Sequence, residues 1–162
     1  MSAYSETVNV IMKSRVRESR THGSVRGWHR EVPVYSTVLG KLGLVGGMGV
    51  ESTIPYYHDI VYGVQNKIGK KFFPNITIES VNALDVLGLC SEQKYDELTD
   101  YLMQAIKNLT TSGADFIALS ANTPHIVFDR LQNKSTVPLV SIVEATRNEA
   151  IRLNKHKLGL LG

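Results

Sequence analysis

The chain has 162 residues, 43% of them apolar and 20% charged, with a formal net charge of +3, the balance of a globular domain able to bury a core. Six cations (Lys13, Arg15, Arg17, Arg20, Arg26, Arg30) stand against three carboxylates (Glu6, Glu18, Glu31) in residues 1–40, so the whole excess lies there and a nucleic-acid-binding face on the rest is not expected. The single cysteine, Cys90, excludes an intrachain disulfide and a cysteine-based metal cluster and fits a reducing cytoplasm; no apolar run has the length of a membrane span, and the first residues lack the apolar stretch of a secretory signal.

Residues 1–40 show no sustained period of 2 or 3.6. They read as a disordered extension, or as a start upstream of the true domain. Three glutamates count against an organelle-targeting peptide, and a basic arm for an acidic partner is the weaker alternative. From Lys41 the pattern changes. Leu42–Gly46 is a short apolar run ending in glycine, as a buried strand would be. Ser52 and Thr53 open a helical stretch with Ile54, Tyr57, Val61, Val64 and Ile68 at steps of three and four, and Pro55 suits a first turn. Residues 76–81 are β-rich. A helix over 91–110 follows, with Ser91 as N-cap, Cys90 just before its start and Gly113 past its end. Phe116–Leu119 is a third strand, and the residues after Pro124 form a helix to about Asn133. Residues 137–142 make a fourth strand and 143–154 a fourth helix. Residues 158–162 begin a fifth strand.

This alternation predicts an α/β fold: a parallel sheet of about four strands, with helices on both faces. Ligands in such sheets bind at the carboxyl ends of the strands. That directs attention to the loops 46–51, 82–85, 120–125 and 141–144. Gly46-Gly47-Met48-Gly49 can bring backbone N–H groups near an anion. From Gly47 the spacing is Gly-x-Gly-x-x-Ser, so it is not a dinucleotide fingerprint, and no lysine makes it a Walker loop. A tight turn without a ligand is the plain alternative. Ser120-Ala121-Asn122-Thr123-Pro124-His125 follows a buried strand. There Asn122 offers donors and an acceptor, Thr123 suits a helix cap, and His125 alone suits a structural role.

Taken in order, Lys41–Thr53 with Tyr56-Tyr57, Gly113–His125, residues 137–142 and residues 158–162 resemble the landmarks of the aspartate/glutamate racemase family. The resemblance covers residues 41–162. It implies one lobe of a two-domain fold, with 1–40 an extension, 41–157 the first α/β racemase domain, and 158–162 the start of a second domain truncated there. It also implies racemisation of an amino acid, aspartate or glutamate-like, without pyridoxal phosphate, other cofactor or metal. One cysteine from each domain removes or returns the α-proton. Substrate-binding residues carried over by position are Met48, Gly49, Asn82, Asn122 and Thr123. The family's first catalytic cysteine falls at Ala121, which carries no proton, and Ser120 should point the other way, because strand side chains alternate. Cys90 matches neither catalytic position. The expectation is therefore a racemase by descent that is inactive as this chain. The alternatives are a non-catalytic pseudoenzyme lobe that binds a carboxylate or forms a homodimer, or a sister activity such as hydantoin racemase, maleate isomerase or arylmalonate decarboxylase. Neither nucleic acid nor membrane is expected as a partner.

Overall fold

The computed structural model describes residues 40–155, with Lys157 and Gly159. The expected extension before Gly40, and the fifth strand over 158–162 apart from Gly159, lie outside the described residues. Four strands, β1 (Leu42–Gly46), β2 (Ile76–Ser80), β3 (Phe116–Leu119) and β4 (Leu139–Val140), form one sheet in the order β2–β1–β3–β4. Every pairing is parallel. The helices are α1 (Val50–Ile68), α2 (Ala83–Ser91), α3 (Tyr95–Thr111), α4 (Phe128–Lys134) and α5 (Ile142–Arg152). A 3-10 turn, Thr123–Val127, precedes α4. The α/β architecture read from the sequence is the observed one.

Strand alternation divides the core in two. Leu42, Leu44, Phe116 and Ala118 pack on one face with Tyr56 and Ile60 of α1 and Ile142 of α5. Val45, Ile117 and Leu119 pack on the other with Leu98, Leu102, Ile106 and Leu109 of α3 and Leu131 of α4. Because both faces are covered, β1 and β3 are buried throughout, which is why they read as continuous apolar runs rather than alternating ones.

Several local expectations are corrected. Helix α1 begins at Val50, so Pro55 stands in the second turn on the solvent side, where its missing N–H leaves a carbonyl to water. The buried stripe of α1 is Tyr56, Ile60, Val61 and Val64, while Ile54 and Tyr57 are exposed. Steps of three and four fit either face of a helix with apolar residues on both, and contact with the sheet selects one of them. Residues 83–111 form two helices rather than one. Asn82 caps α2, its Oδ1 accepting from the Leu84 N–H at 3.0 Å. Ser91 closes α2 instead of opening α3, its hydroxyl donating to the Gly88 carbonyl. Gln93 then takes φ 56 and reverses the chain before α3. Cys90 consequently sits at the end of α2. Fourth in the sheet, β4 is only Leu139–Val140, and α5 starts at Ile142. None of the described helices is long and apolar enough to cross a membrane.

Candidate functional site

All four strands are parallel, so their carboxyl ends share one edge of the sheet. The loops after β1, β2, β3 and β4 are the four that the sequence singled out.

The β1 loop is held by Thr53. Its Oγ1 donates to the Gly49 carbonyl at 3.1 Å and accepts from the Gly47 N–H at 3.0 Å. A third contact, 3.1 Å to Ser120 Oγ, then requires the serine to donate, since a hydroxyl has one proton. Ser120, 1% exposed, therefore points inward against α1 and ties the end of β3 to the β1 loop. Gly47 has φ +82, and an added Cβ would overlap the Val81 carbonyl oxygen and lie 2.8 Å from Val81 N. Only glycine lets this loop cross the end of β2. Met48 leans partly on the core. The backbone N–H groups of Met48 and Gly49 meet no acceptor among the described residues.

After β2, Asn82 uses Oδ1 on the α2 cap and gives its backbone N–H to the Tyr101 hydroxyl at 3.1 Å. Its side-chain NH2 is the part left over. Tyr101 was not among the residues singled out from the sequence. It falls beside the apolar stripe of α3, and no local pattern signals a hydroxyl reaching another loop.

After β3, Ser120 is followed by Ala121, which is half-buried. Asn122 and Thr123 are exposed, and neither side chain makes a hydrogen bond to another described residue. The expected Thr123 cap is thus absent. The backbone of Asn122 starts the turn instead, its carbonyl accepting from the His125 N–H at 2.8 Å. Pro124 lies in the first turn, as expected.

His125 bridges two loops. Its Nδ1 is 2.9 Å from the Ala121 carbonyl, and its Nε2 accepts from the Ile142 N–H at 3.3 Å. Phe128 stacks on the ring, with centroids 5.1 Å apart and planes 2° from parallel. Burial pushes the imidazole below its ordinary pKa, partly offset by the carbonyls of Ala121 and Asn122. After β4, Ser141 caps α5, its Oγ accepting from the Glu144 N–H at 3.2 Å.

Five large apolar side chains stand exposed on these loops and first turns: Val50, Ile54, Leu84, Ile126 and Val143. No set of three or more His, Cys, Asp or Glu side chains that could hold a metal occurs among the described residues. Cys90 lies seven residues into α2, about 10 Å along its axis at 1.5 Å per residue, and its thiol leans on the core, where burial raises its pKa. A surface groove of about 400 Å³ lies elsewhere, between α3 and the end of α4, with Asp100, Lys107 and Lys134 in its wall. The Asp100–Lys134 ion pair at 3.0 Å spans it. None of the four loops contributes to that groove, and the chemistry at the strand ends locates the candidate site better than its volume does.

Comparison with known proteins gives consistent results. The family model described as Asp/Glu/Hydantoin racemase matches residues 45–162. A broad specificity amino-acid racemase, RacX of Bacillus subtilis (strain 168), is 30% identical over 121 residues, which is 67% of this chain and 48% of that protein. The crystal structure of a candidate Asp/Glu racemase from Yersinia pestis is similar with a TM-score of 0.67 and 31% identity, over 71% of this chain and 50% of the other. An aspartate racemase homologue from Pyrococcus horikoshii OT3 is similar with a TM-score of 0.62 and 34% identity, over 70% of this chain and 50% of the other. The chain spans about half the length of these relatives.

Proposed function

The chain belongs to the Asp/Glu/hydantoin racemase family, and from that premise we propose that it is the amino-acid-binding first lobe of a racemase that works without pyridoxal phosphate, and that with alanine at position 121 it does not itself invert a stereocentre. The observation that carries this reading is the β3 loop. Asn122 and Thr123 are exposed and uncommitted beside Ala121. They sit at the strand edge where parallel α/β sheets bind ligands.

Removing an α-proton leaves negative charge delocalised into the substrate carboxylate. Fixed donors aimed at that carboxylate lower the barrier. The candidates here are the Asn122 amide, the Thr123 hydroxyl, the spare NH2 of Asn82 and the N–H groups of Met48 and Gly49. None of them can take the α-proton. That step needs a titratable group beside the α-carbon, and Ala121 has only a methyl. Ser120 is committed to Thr53. His125 spends both nitrogens on the backbone. Cys90 is distant along α2, with its thiol pushed away from ionisation. The substrate class is an α-amino acid, with aspartate and glutamate first to test. The domain is taken as residues 41–157 and the location as cytoplasmic.

Titrating L- and D-aspartate, glutamate, alanine and lysine into 15N-labelled chain tests the reading. We expect the amides of Met48, Gly49, Asn122 and Thr123 to shift saturably with at least one of these amino acids, and Asn122→Ala to weaken that binding. Shifts confined to other surfaces, or none with any amino acid, would refute it. A homodimer through the same edge is the second reading, carried by the exposed apolar side chains there. It predicts a mass in light scattering that rises with concentration and falls back when Leu84 and Val143 are made serine.

A further inference from the structure

His125 touches the backbone on both sides of the gap between the β3 and β4 loops. The Ala121 carbonyl, 2.9 Å from Nδ1, can only accept a hydrogen bond. The Ile142 N–H, 3.3 Å from Nε2, can only donate one. Both contacts are satisfied together by one form of the ring alone: neutral, with its proton on Nδ1. The Phe128 ring, stacked at 5.1 Å, fixes the imidazole plane. On its other side Ala121 follows Ser120, which is anchored to Thr53. Residue 121 is therefore held from two directions, towards α1 through Ser120 and towards α5 through its own carbonyl.

We infer that His125 is a positioning residue: as the neutral Nδ1–H tautomer it pins the Ala121–Thr123 segment to the first residue of α5. The consequence for ligand binding rests on the reading of Asn122 and Thr123 given above, whereas the tie itself does not. A second proton would set Nε2–H against the Ile142 N–H and break the tie. The elements packed around this turn carry ionisable groups along their whole length, those in their first two turns including Asp85 on α2, Asp96, Glu97 and Tyr101 on α3, Asp129 and Arg130 on α4, and Glu144 and Arg147 on α5. Asp96 and Arg130 pair with each other. No charge on any of these elements contributes to the lowered pKa of His125, which comes from burial against the opposing pull of two carbonyls. The unfolded chain binds this proton more readily than the folded one. Stability from the neutral ring is therefore fully present above about pH 6.5, and is lost as the pH falls through the lower folded-state value.

Imidazole 15N shifts of the full chain at pH 7.5 test the tautomer directly. We expect the protonated-nitrogen shift at Nδ1 and the bare-nitrogen shift at Nε2. On lowering the pH, the amides of Ile142, Asn122 and Thr123 should move together with the ring, at a midpoint below that of an ordinary histidine. His125→Asn, if folded, should speed hydrogen exchange at Ile142 by roughly tenfold, the loss of about one hydrogen bond. An Nε2–H ring, or Asn122 and Thr123 amides that stay still while His125 titrates, would overturn the inference. Amino-acid binding measured in the same titration separates the two readings. Absence of binding at every pH refutes the proposed function, while the tautomer and the Ile142 amide still decide the tie.

Discussion

Along a single strand the molecule changes character within four residues. Ile117 and Leu119 of β3 are fully buried against Leu102, Ile106 and Leu131, none of which has appreciable exposed area. Just past the end of the same strand the Asn122 and Thr123 side chains stand in solvent with no hydrogen-bond partner among the described residues, and Leu84 in the first turn of α2 is 77% exposed. The middle of the sheet is closed on both faces, whereas its carboxyl edge is open and has uncommitted donors. The contrast teaches where stability is kept and, on the proposed function, where an amino acid would bind. If it holds, substitutions in the two regions should differ severalfold in their effect on folding, and in opposite order on amino-acid binding.

The largest expected loss comes from the closed region. Leu102→Ala should destabilise the chain by about 2–5 kcal/mol, the usual cost of a leucine-sized deletion in a core that cannot collapse around it. Urea unfolding followed by circular dichroism reads it. A loss below about 1 kcal/mol would mean that the α3 face is not packed as described. Next is the seam between the regions. Thr53→Val strands the Gly47 N–H and the Ser120 hydroxyl, and should cost about 1–3 kcal/mol. Thr53→Ser, which keeps the hydroxyl, should recover most of that, and equal losses for both would deny the role of the network. The smallest effect belongs to the open edge. Leu84→Ser should stay within about 0.5 kcal/mol of the parent, as surface changes do, and a larger loss would show that this edge contributes to the core.

The closed region was also the legible one. Leu42–Gly46 and Phe116–Leu119 announce buried parallel strands through composition alone, since both faces demand apolar side chains. The α2–α3 break was hidden. Ser91 reads as the N-cap of one helix over 91–110, and nothing local says that Gln93 will accept a positive φ. At the edge, Ala121, Asn122 and Thr123 could be located because they follow a recognisable strand, while the roles expected of them are those the resemblance to the racemase family implies. Tyr101, which reaches the Asn82 N–H, and the two-sided tie of His125 could not. Each joins residues 17 or more positions apart, and such pairings follow from how the sheet is ordered rather than from any spacing along the chain. The spacing puts Tyr57 on the buried stripe of α1 where the sheet takes Tyr56 instead, for the same reason.

The central claim is that this edge can hold an amino acid but has no group to carry its α-proton. Incubating the purified chain in D2O with L-aspartate, L-glutamate, L-alanine or L-lysine, and following the α-proton signal, measures that step without requiring full turnover. The account predicts no loss of signal above the protein-free control for any of them. Loss that scales with the concentration of the chain, and disappears in Asn122→Ala, would contradict it.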